Sequence, residues 1–161
     1  MTLSVHLHSK DSIEVIGKFL QNQNNKKSIV VCSEHPYTFF SSKLTAYGVR
    51  TDRILFVDCI SKAGGQKLHH ENNVVFSSHP TELKELGFAL QTLSKGHQLI
   101  VLDNASSMLR HNTKEAVAHF LQLLNTNVEK PVHVFSQQHQ TPPEFVDSIW
   151  TLAKTVLSES P

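Results

Sequence analysis

The sequence contains few cysteines, and their spacing is not that of a metal site or a disulfide framework. Cys32 and Cys59 are the only two in 161 residues, and each lies at or next to the end of an apolar run. Neither belongs to a CxxC pair or a zinc-ribbon pattern, which argues against a disulfide-rich scaffold and a zinc ribbon. We expect two reduced, buried and unreactive thiols in a cytoplasmic protein.

The sequence also lacks a large charge of one sign and a long hydrophobic run. Its 15 basic and 14 acidic residues give a formal net charge of +1, and Lys26-Lys27 is an isolated basic pair. This charge offers no strong field to attract nucleic acid. No apolar stretch approaches the roughly 20 residues of a membrane span, and Met1 to Lys10 lacks the apolar segment of a signal peptide. We therefore expect neither a membrane nor a nucleic-acid partner.

Familiar catalytic and metal-binding motifs are missing as well. No GxSxG nucleophile elbow is present. Among 11 histidines, His6 and His8 would share one face of a strand, while His69, His70 and Glu71 are adjacent. Zinc needs three or four converging ligands, and no spacing here supplies them. The sequence predicts no metal site, and the histidines are interpreted as scattered surface and loop residues.

Alternating apolar runs and helical patterns fill the chain. Helices are predicted to begin near Asp11, Pro36, Pro80 and Asn112. This alternation predicts an α/β fold with three layers and a doubly wound, mostly parallel sheet, and the length suits a single domain over residues 1–161. The predicted strands cover residues 3–7, 28–32, 54–58, 73–76, 98–103, 132–136 and 146–152, with an edge strand or a frayed end at 154–161.

Several local signals refine this prediction. Asp11, with Glu14 three residues later, is typical of a reciprocal helix N-cap, and Asn112 with Glu115 has the same spacing. Gly48 suits the left-handed position after a helix. In the first strand, apolar and polar residues alternate, which predicts one face exposed to solvent.

Several segments resemble the RecA/KaiC-like P-loop ATPases. Ser28-Ile-Val-Val-Cys-Ser-Glu34 and Ile54-Leu-Phe-Val-Asp58 are similar to the part of those proteins that follows their phosphate loop. Leu99-Ile-Val-Leu-Asp103-Asn-Ala-Ser-Ser-Met-Leu109 resembles their Walker B strand with its following loop. Val134-Phe-Ser-Gln137-Gln138 resembles their sensor strand, and Phe145-Val-Asp147-Ser-Ile-Trp-Thr-Leu152 a late strand. The resemblance implies a RecA-like fold.

Two further segments are similar to small archaeal RecA-like proteins, which commonly lack Walker A. They are His79-Pro80-Thr81-Glu82-Leu83 and Val117-Ala-His-Phe120-Leu121. RecA-like domains usually pair through faces near the nucleotide crevice. A degenerate copy can keep this pairing without the chemistry.

The chain departs from the family at the phosphate loop. That loop needs glycines to wrap backbone N–H groups around phosphates, a lysine, and a Ser or Thr hydroxyl for magnesium. Between the first strand and helix this chain has only His8-Ser9-Lys10-Asp11-Ser12. Asp11 places a carboxylate at the helix N-terminus, where a phosphate would bind. Lys10 and Ser12 are retained as vestigial cofactor-binding candidates, with no cofactor expected; the alternative is ATP with magnesium.

The resemblance also implies three vestigial catalytic candidates. Glu34 corresponds to the water-activating carboxylate, Asp103 to the magnesium-associated carboxylate, and Gln137, with Gln138 beside it, to a γ-phosphate sensor. Without a phosphate loop, we expect Asp103 to cap the loop 104–107 and Glu34 to lie at the start of a helix. The glutamines are expected to be solvated amides or strand-end hydrogen-bond partners.

These observations leave three functions open. The preferred hypothesis is a non-catalytic regulatory or protein-interaction module, a pseudo-ATPase that binds a partner protein or itself. The alternative is an ATP-binding or ATP-hydrolysing protein with an unconventional loop. A weaker alternative is a receiver-like phosphoacceptor that uses Asp58, although such a site also needs paired acids and a lysine, and Asn104 follows Asp103.

Overall fold

Seven parallel strands form one sheet. The computed structural model describes residues 3–24, 26–68, 71–153 and 155–158. For Trp150 and residues 155–158 it describes the backbone alone. The sheet order is β4-β3-β2-β5-β6-β1-β7, and every neighbouring pair is parallel. The strands are β1 (Leu3–His8), β2 (Ser28–Cys32), β3 (Ile54–Asp58), β4 (Val74–Phe76), β5 (Leu99–Leu102), β6 (Val132–Gln137) and β7 (Thr155–Ser158).

In the described ranges, six α-helices connect these strands and cover both faces of the sheet. They are α1 (Ser12–Asn22), α2 (Tyr37–Ala46), α3 (Leu83–Leu93), α4 (Ala105–Met108), α5 (Lys114–Asn127) and α6 (Pro143–Trp150). Single 3-10 turns lie at Thr51–Arg53, Ser94–Gly96 and Gln138–Gln140. The predicted three-layer, doubly wound α/β fold is confirmed. Among the residues described, no helix has both the length and the apolar character needed to cross a membrane.

Two apolar cores lie on opposite faces of the sheet. Helices α1 and α2 pack on one face, where Ile16 and Phe40 meet Val30 and Phe135. Helices α3, α5 and α6 pack on the other face, where their buried residues meet those of β1, β2, β5 and β6. Because both faces are covered, the central strands are apolar throughout, as expected for a parallel sheet.

The first strand differs from the prediction of an exposed face. Its polar residues Ser4 and His8 are 8% and 1% exposed, and His6 is half-buried. The strand lies between β6 and β7, and α1 belongs to the layer that covers its second face. Alternation of polar and apolar residues indicated two different faces, but the polar face is covered because its histidines pack against aromatic rings.

Residues 146–152, predicted as the last strand, are helical instead. Helix α6 spans Pro143–Trp150, with proline at its first position, and buries Phe145 and Ile149. Their spacing of four residues places both on one helical face, although the β-branched and aromatic composition favoured a strand. The last strand is β7, in the segment where an edge strand was expected.

The predicted helix caps were partly correct. Asp11 is the N-cap of α1, but the Glu14 carboxylate pairs with Lys18 at 2.7 Å instead of completing a reciprocal cap. The cap of α5 is Thr113, not Asn112. The Asn112 amide instead donates to the backbone carbonyls of Pro80 and Met108, so it ties the segment before α3 to the last residue of α4. Gly48 has φ of +78°, as predicted for a left-handed position.

Candidate functional site

The carboxyl edge of the sheet has two places where neighbouring strands lead to opposite faces. Strand β2 leads to α2 on one face, and its neighbour β5 leads to α4 and α5 on the other. Strands β1 and β6 diverge in the same way through α1 and α6. Such divergence opens a crevice, which is where ligands bind in open α/β sheets. All five site residues singled out in the sequence lie along this edge.

Asp103 lies at the first divergence, directly after β5, and is 1% exposed. Its Oδ1 accepts hydrogen bonds from the Ser33 N–H at 2.9 Å and the Ser33 hydroxyl at 2.5 Å. The Asn104 N–H also donates to Oδ1, at 2.7 Å, and the Glu34 N–H donates to Oδ2 at 3.1 Å. Asp103 was expected to cap the loop 104–107, but only the Asn104 N–H comes from that segment. The other three donors belong to Ser33 and Glu34, directly after β2.

Burial sets the electrostatics of this carboxylate. Loss of solvent raises the pKa of Asp103, and the hydrogen bonds from Ser33, Glu34 and Asn104 offset part of this rise. The resulting pKa is about 6. The geometry favours the carboxylate form at neutral pH, since four N–H and O–H groups converge on its oxygens. This carboxylate joins the ends of β2 and β5.

Segment 104–107 is not a loop but the beginning of α4. Asn104 caps this helix through its side-chain oxygen, which accepts from the Ser106 N–H at 3.1 Å. The Ser107 hydroxyl lies 2.7 Å from that of Ser33 and donates to the Asn104 carbonyl. Sequence reasoning missed Ser33 and Ser107 as members of this cluster, although Ser33 directly follows the apolar strand β2.

Glu34 is held beside this cluster. One carboxylate oxygen accepts from the Asn104 amide at 2.9 Å, and the other lies 3.5 Å from the Arg110 guanidinium. The Glu34 side chain is 13% exposed, whereas that of Arg110 is 58% exposed. Both oxygens therefore have protein partners, so a water molecule would have to compete for them.

The turn from His8 to Ser12 is stabilised by its own side chains. The Asp11 Oδ1 accepts from the N–H groups of Ile13 at 2.9 Å and Glu14 at 3.1 Å. The His8 Nδ1–H donates to the Lys10 carbonyl at 3.0 Å. In neutral histidine this leaves Nε2 as an acceptor, and the Ser12 hydroxyl lies 3.4 Å from it. Ser12 is 4% exposed, and Lys10 is exposed at the surface.

This turn does not fit the triphosphate of ATP. Two of the N–H groups that a phosphate would need at the helix N-terminus already bind the Asp11 carboxylate. The Ser12 hydroxyl, which would have to reach magnesium, is buried against His8. A bound phosphate would also meet the negative charge of Asp11 at short range.

A hydroxyl cluster joins the carboxyl end of β6 to α4. The hydroxyls of Ser106, Ser136 and Thr141 lie 2.7–2.8 Å from one another. The Thr141 hydroxyl also donates to the Gln137 carbonyl at 2.6 Å. The Gln137 side-chain oxygen is buried and has no hydrogen-bond partner among the described residues. Gln137 is half-buried and Gln138 is exposed in a 3-10 turn, so only the second is the solvated amide that was expected.

Asp58, the receiver-like candidate, is fully buried at the end of β3. Its carboxylate accepts from the N–H groups of Tyr37, Ile60 and Ser61, each at 2.8 Å. The Ser61 hydroxyl adds a fourth bond at 2.6 Å. This arrangement fixes the loop after β3 to the start of α2 and leaves the carboxylate without solvent contact.

His6, His8 and His133 lie in strands and are buried or half-buried, contrary to the expectation of surface and loop positions. His8 is buried, and the His6 and His133 nitrogens lie 3.0 Å apart. The His6 ring also stacks on Phe135 with centroids 4.4 Å apart. Burial is the main cause that lowers the pKa of both His6 and His133 to about 4, so the pair is neutral at pH 7.

Within the described part of the chain, no three metal-ligating side chains converge. His69 and His70 lie outside the described residues. The cysteines are unpaired and buried, as predicted. Burial raises the pKa of Cys59 to about 12 and that of Cys32 well above its usual range, so both thiols are protonated at neutral pH.

Comparison with known proteins identifies the fold through structure. No protein-family model and no curated protein sequence matches this chain. The uncharacterised protein PH0321 from Pyrococcus horikoshii, crystallised in complex with an unknown peptide, is similar with a TM-score of 0.73. It is 12% identical, and the match covers 98% of this chain and 76% of that one.

A second archaeal structure is also similar. It is the flagellar accessory protein FlaH from Methanocaldococcus jannaschii, with a TM-score of 0.65 and 11% identity over 98% of this chain and 70% of that one. These neighbours are RecA-like, so the predicted RecA-like α/β fold is confirmed. At this level of identity the likeness establishes the fold and not the activity.

Proposed function

We propose that the chain is a non-catalytic RecA/KaiC-like module that acts in regulation or in protein–protein interaction. The observation that carries this proposal is the turn between β1 and α1. In that turn Asp11 takes two N–H groups at the helix N-terminus, and Ser12 is buried against His8. A phosphate-binding loop uses the same positions to hold a triphosphate, so this turn has no phosphate-binding function in our proposal.

The remaining candidates support the same proposal. Asp103 is buried and holds the ends of β2 and β5 together, and Glu34 is bonded to Asn104 and lies near Arg110. A magnesium-associated carboxylate and a general base both need access to the reacting phosphate. Carboxylates that are bonded in this way serve the fold instead.

A protein partner is the proposed ligand, with self-association as the alternative. The similar Pyrococcus horikoshii protein was crystallised with a peptide, and the similar Methanocaldococcus jannaschii protein is a flagellar accessory protein. Both descriptions are compatible with a domain that works through other proteins. The two unpaired cysteines support a reducing, cytoplasmic location.

Thermal unfolding with Mg-ATP tests the proposal. We expect the same melting temperature with and without millimolar Mg-ATP, whereas a ligand at 100 times its Kd adds about 2.7 kcal/mol to the free energy of unfolding. A rise with Mg-ATP that is absent with magnesium alone, and is lost in Lys10→Ala, would contradict it. Light scattering on the same samples distinguishes self-association from a separate partner.

One observation favours the ATP-binding alternative. The buried Gln137 side-chain oxygen has no partner among the described residues and belongs to the last residue of β6. The exposed Lys10 lies two residues after β1, whose last residue, His8, pairs with Gln137 in the sheet register. A ligand with an N–H donor and an anionic group could contact both. The receiver-like alternative has less support, because the Asp58 carboxylate accepts four hydrogen bonds and has no exposed surface.

A further inference from the structure

A surface groove runs between α3 and α5, on the face of the sheet away from α1 and α2. Its volume is about 500 Å³, within the range of ligand-sized cavities. Leu83, Gly87, Phe120 and Leu123 line it together with Phe88, which is 59% exposed. Phe88 is the most exposed large apolar side chain among the described residues. This α3–α5 groove is therefore an apolar surface that has no cover within the described chain.

Gly87 keeps the groove open. A Cβ atom added at this residue would lie 3.8 Å from the Phe120 ring, which is an ordinary contact. The backbone conformation of Gly87 is helical, so other residues are tolerated there. A larger side chain at position 87 would thus point across Phe120 and occupy the groove without disturbing the helix.

The two ends of the groove differ in charge. Helices α3 and α5 both begin at the carboxyl edge of the sheet and run the same way, because each connects two parallel strands. Lys84 and Ala116 lie in their first turns, where the helix dipoles add partial positive charge. Among the described residues that line the groove, Lys84 alone has a permanent charge, because the acidic residues of the same first turns, Glu85 and Glu115, do not line it. Gln91 and Asn127, which are polar and uncharged, line the far end.

We propose that the α3–α5 groove binds an amphipathic helix of a partner protein, with a carboxylate of that helix placed beside Lys84. This inference rests on the proposed function and names the surface through which the module would act. Apolar anchors of the partner would pack on Phe120 and against Phe88. The partner carboxylate would meet Lys84 and the N-termini of both helices, which complement its charge.

The dimensions of the groove favour a helix as the occupant. From Lys84 to Gln91 the groove follows seven residues of α3, or about 10 Å at 1.5 Å per residue. Two turns of a helix span that length and present three apolar side chains on one face. The exposed walls, Phe88 and His119, leave the groove too open to enclose a small molecule. If the grooves of two copies of this chain faced each other in parallel, their two Lys84 side chains would lie in the same contact region. The repulsion between these like charges disfavours a second copy as the occupant.

Fluorescence anisotropy with designed peptides tests this inference. The probe is a labelled, alanine-rich peptide of about 18 residues, long enough to form helix, with leucines at i, i+4 and i+7 and two glutamates at one end of that stripe. A matched peptide carries lysines in place of the glutamates. With the full chain, we expect saturable binding of the acidic peptide and weaker binding of the basic one.

Variants of the chain assign the binding to the groove. Gly87→Leu fills the groove and should weaken the binding of the acidic peptide by at least about tenfold, as for loss of a buried hot spot. Gly87→Ala should bind this peptide as tightly as the wild type does. Lys84→Glu should weaken the acidic peptide about threefold at low salt and reverse the preference between the two peptides. Circular dichroism confirms that each variant is folded.

Three results would overturn the inference. These are no binding of either peptide, equal binding by Gly87→Leu and Gly87→Ala, and a concentration-dependent dimer that Gly87→Leu abolishes. The last result would assign the groove to a second copy of the chain. If neither peptide binds, a small apolar dye that binds the wild type but not Gly87→Leu would assign the groove to a small molecule. None of these results changes the Mg-ATP test, so failure here is separate from failure of the proposed function.

Discussion

Asp103 shows how one buried side chain joins two strands. Its carboxylate receives three N–H groups and one hydroxyl, from Ser33, Glu34 and Asn104. The sequence identified this residue, since a single acid follows the most apolar strand. Its partners were not predicted, because Ser33 lies 70 residues away and only the strand order brings it close. The functional candidate is thus a structural residue in our account.

Replacement of Asp103 by asparagine should destabilise the protein. The asparagine side chain has the shape of the aspartate, but its NH2 group would face a donor that the carboxylate oxygen accepts from. Both donors would then be unsatisfied, and an unsatisfied buried group costs about 1–3 kcal/mol. Urea denaturation measures the change in the free energy of unfolding. Asp52→Asn, an exposed aspartate paired with Arg50, is the matched control and should change little. Equal stability of Asp103→Asn and wild type would refute this role.

The His6–His133 pair predicts a dependence of stability on pH. Burial lowers the pKa of both rings from 6.5 to about 4, so the unfolded chain binds more protons than the folded one between these values. Stability is therefore complete above pH 6.5 and is lost as the pH falls toward 4. Because both rings are only half-buried, we expect about 1–2 kcal/mol for each, less than the full shift implies.

Denaturation across this pH range checks the prediction, with His133→Phe as the comparison. Phenylalanine can pack beside Phe19, which lies 4.5 Å from the His133 ring by centroids. The variant should lose less stability than the wild type between pH 6.5 and pH 4. If both proteins lose the same amount, the pair does not account for the acid sensitivity.

At the scale of the element, the turn before α1 illustrates what sequence reasoning captured. The helix cap at Asp11 was predicted from its spacing to Glu14, and the cap is present. The reciprocal bond is not, because Glu14 pairs with Lys18 one turn later. A one-residue error at Asn112 has a similar cause. Two adjacent polar residues can both cap, but the Asn112 amide is bonded to the Pro80 and Met108 carbonyls, and Thr113 is the cap.

Asp11→Ala should destabilise the protein at the start of α1. Loss of an N-cap costs about 1 kcal/mol, since two N–H groups lose their acceptor. Asp11→Asn keeps an acceptor oxygen and should lose less. In thermal denaturation, we expect the wild type to have the highest melting temperature, Asp11→Asn an intermediate one and Asp11→Ala the lowest. A variant with alanine that is as stable as the wild type would show that the cap contributes nothing.

Helix α6 shows why the last element was misassigned. Phe145 and Ile149 are spaced for a helix, but the segment is short and rich in β-branched and aromatic residues. Over eight residues, the two periodicities are difficult to separate. The proline at position 143, which begins the helix, is the signal that could have decided between them.

At the scale of the whole molecule, the sequence predicted the layers but not the strand order. Alternation of apolar runs and helices is enough to predict a doubly wound sheet. The apolar strands are alike in composition, so nothing local says that β5 lies beside β2 or that β6 lies beside β1. This order creates both crevices and determines which polar residues meet there.

We propose that the polar residues at the carboxyl ends of β1, β2, β5 and β6 hold the sheet edge together and do not process a nucleotide. Measurement of phosphate release from Mg-ATP by purified protein tests it most directly, with Lys10→Ala and Glu34→Gln purified in parallel. Our account predicts release at the rate of buffer alone for all three proteins. Release by the wild type that either substitution abolishes would contradict it.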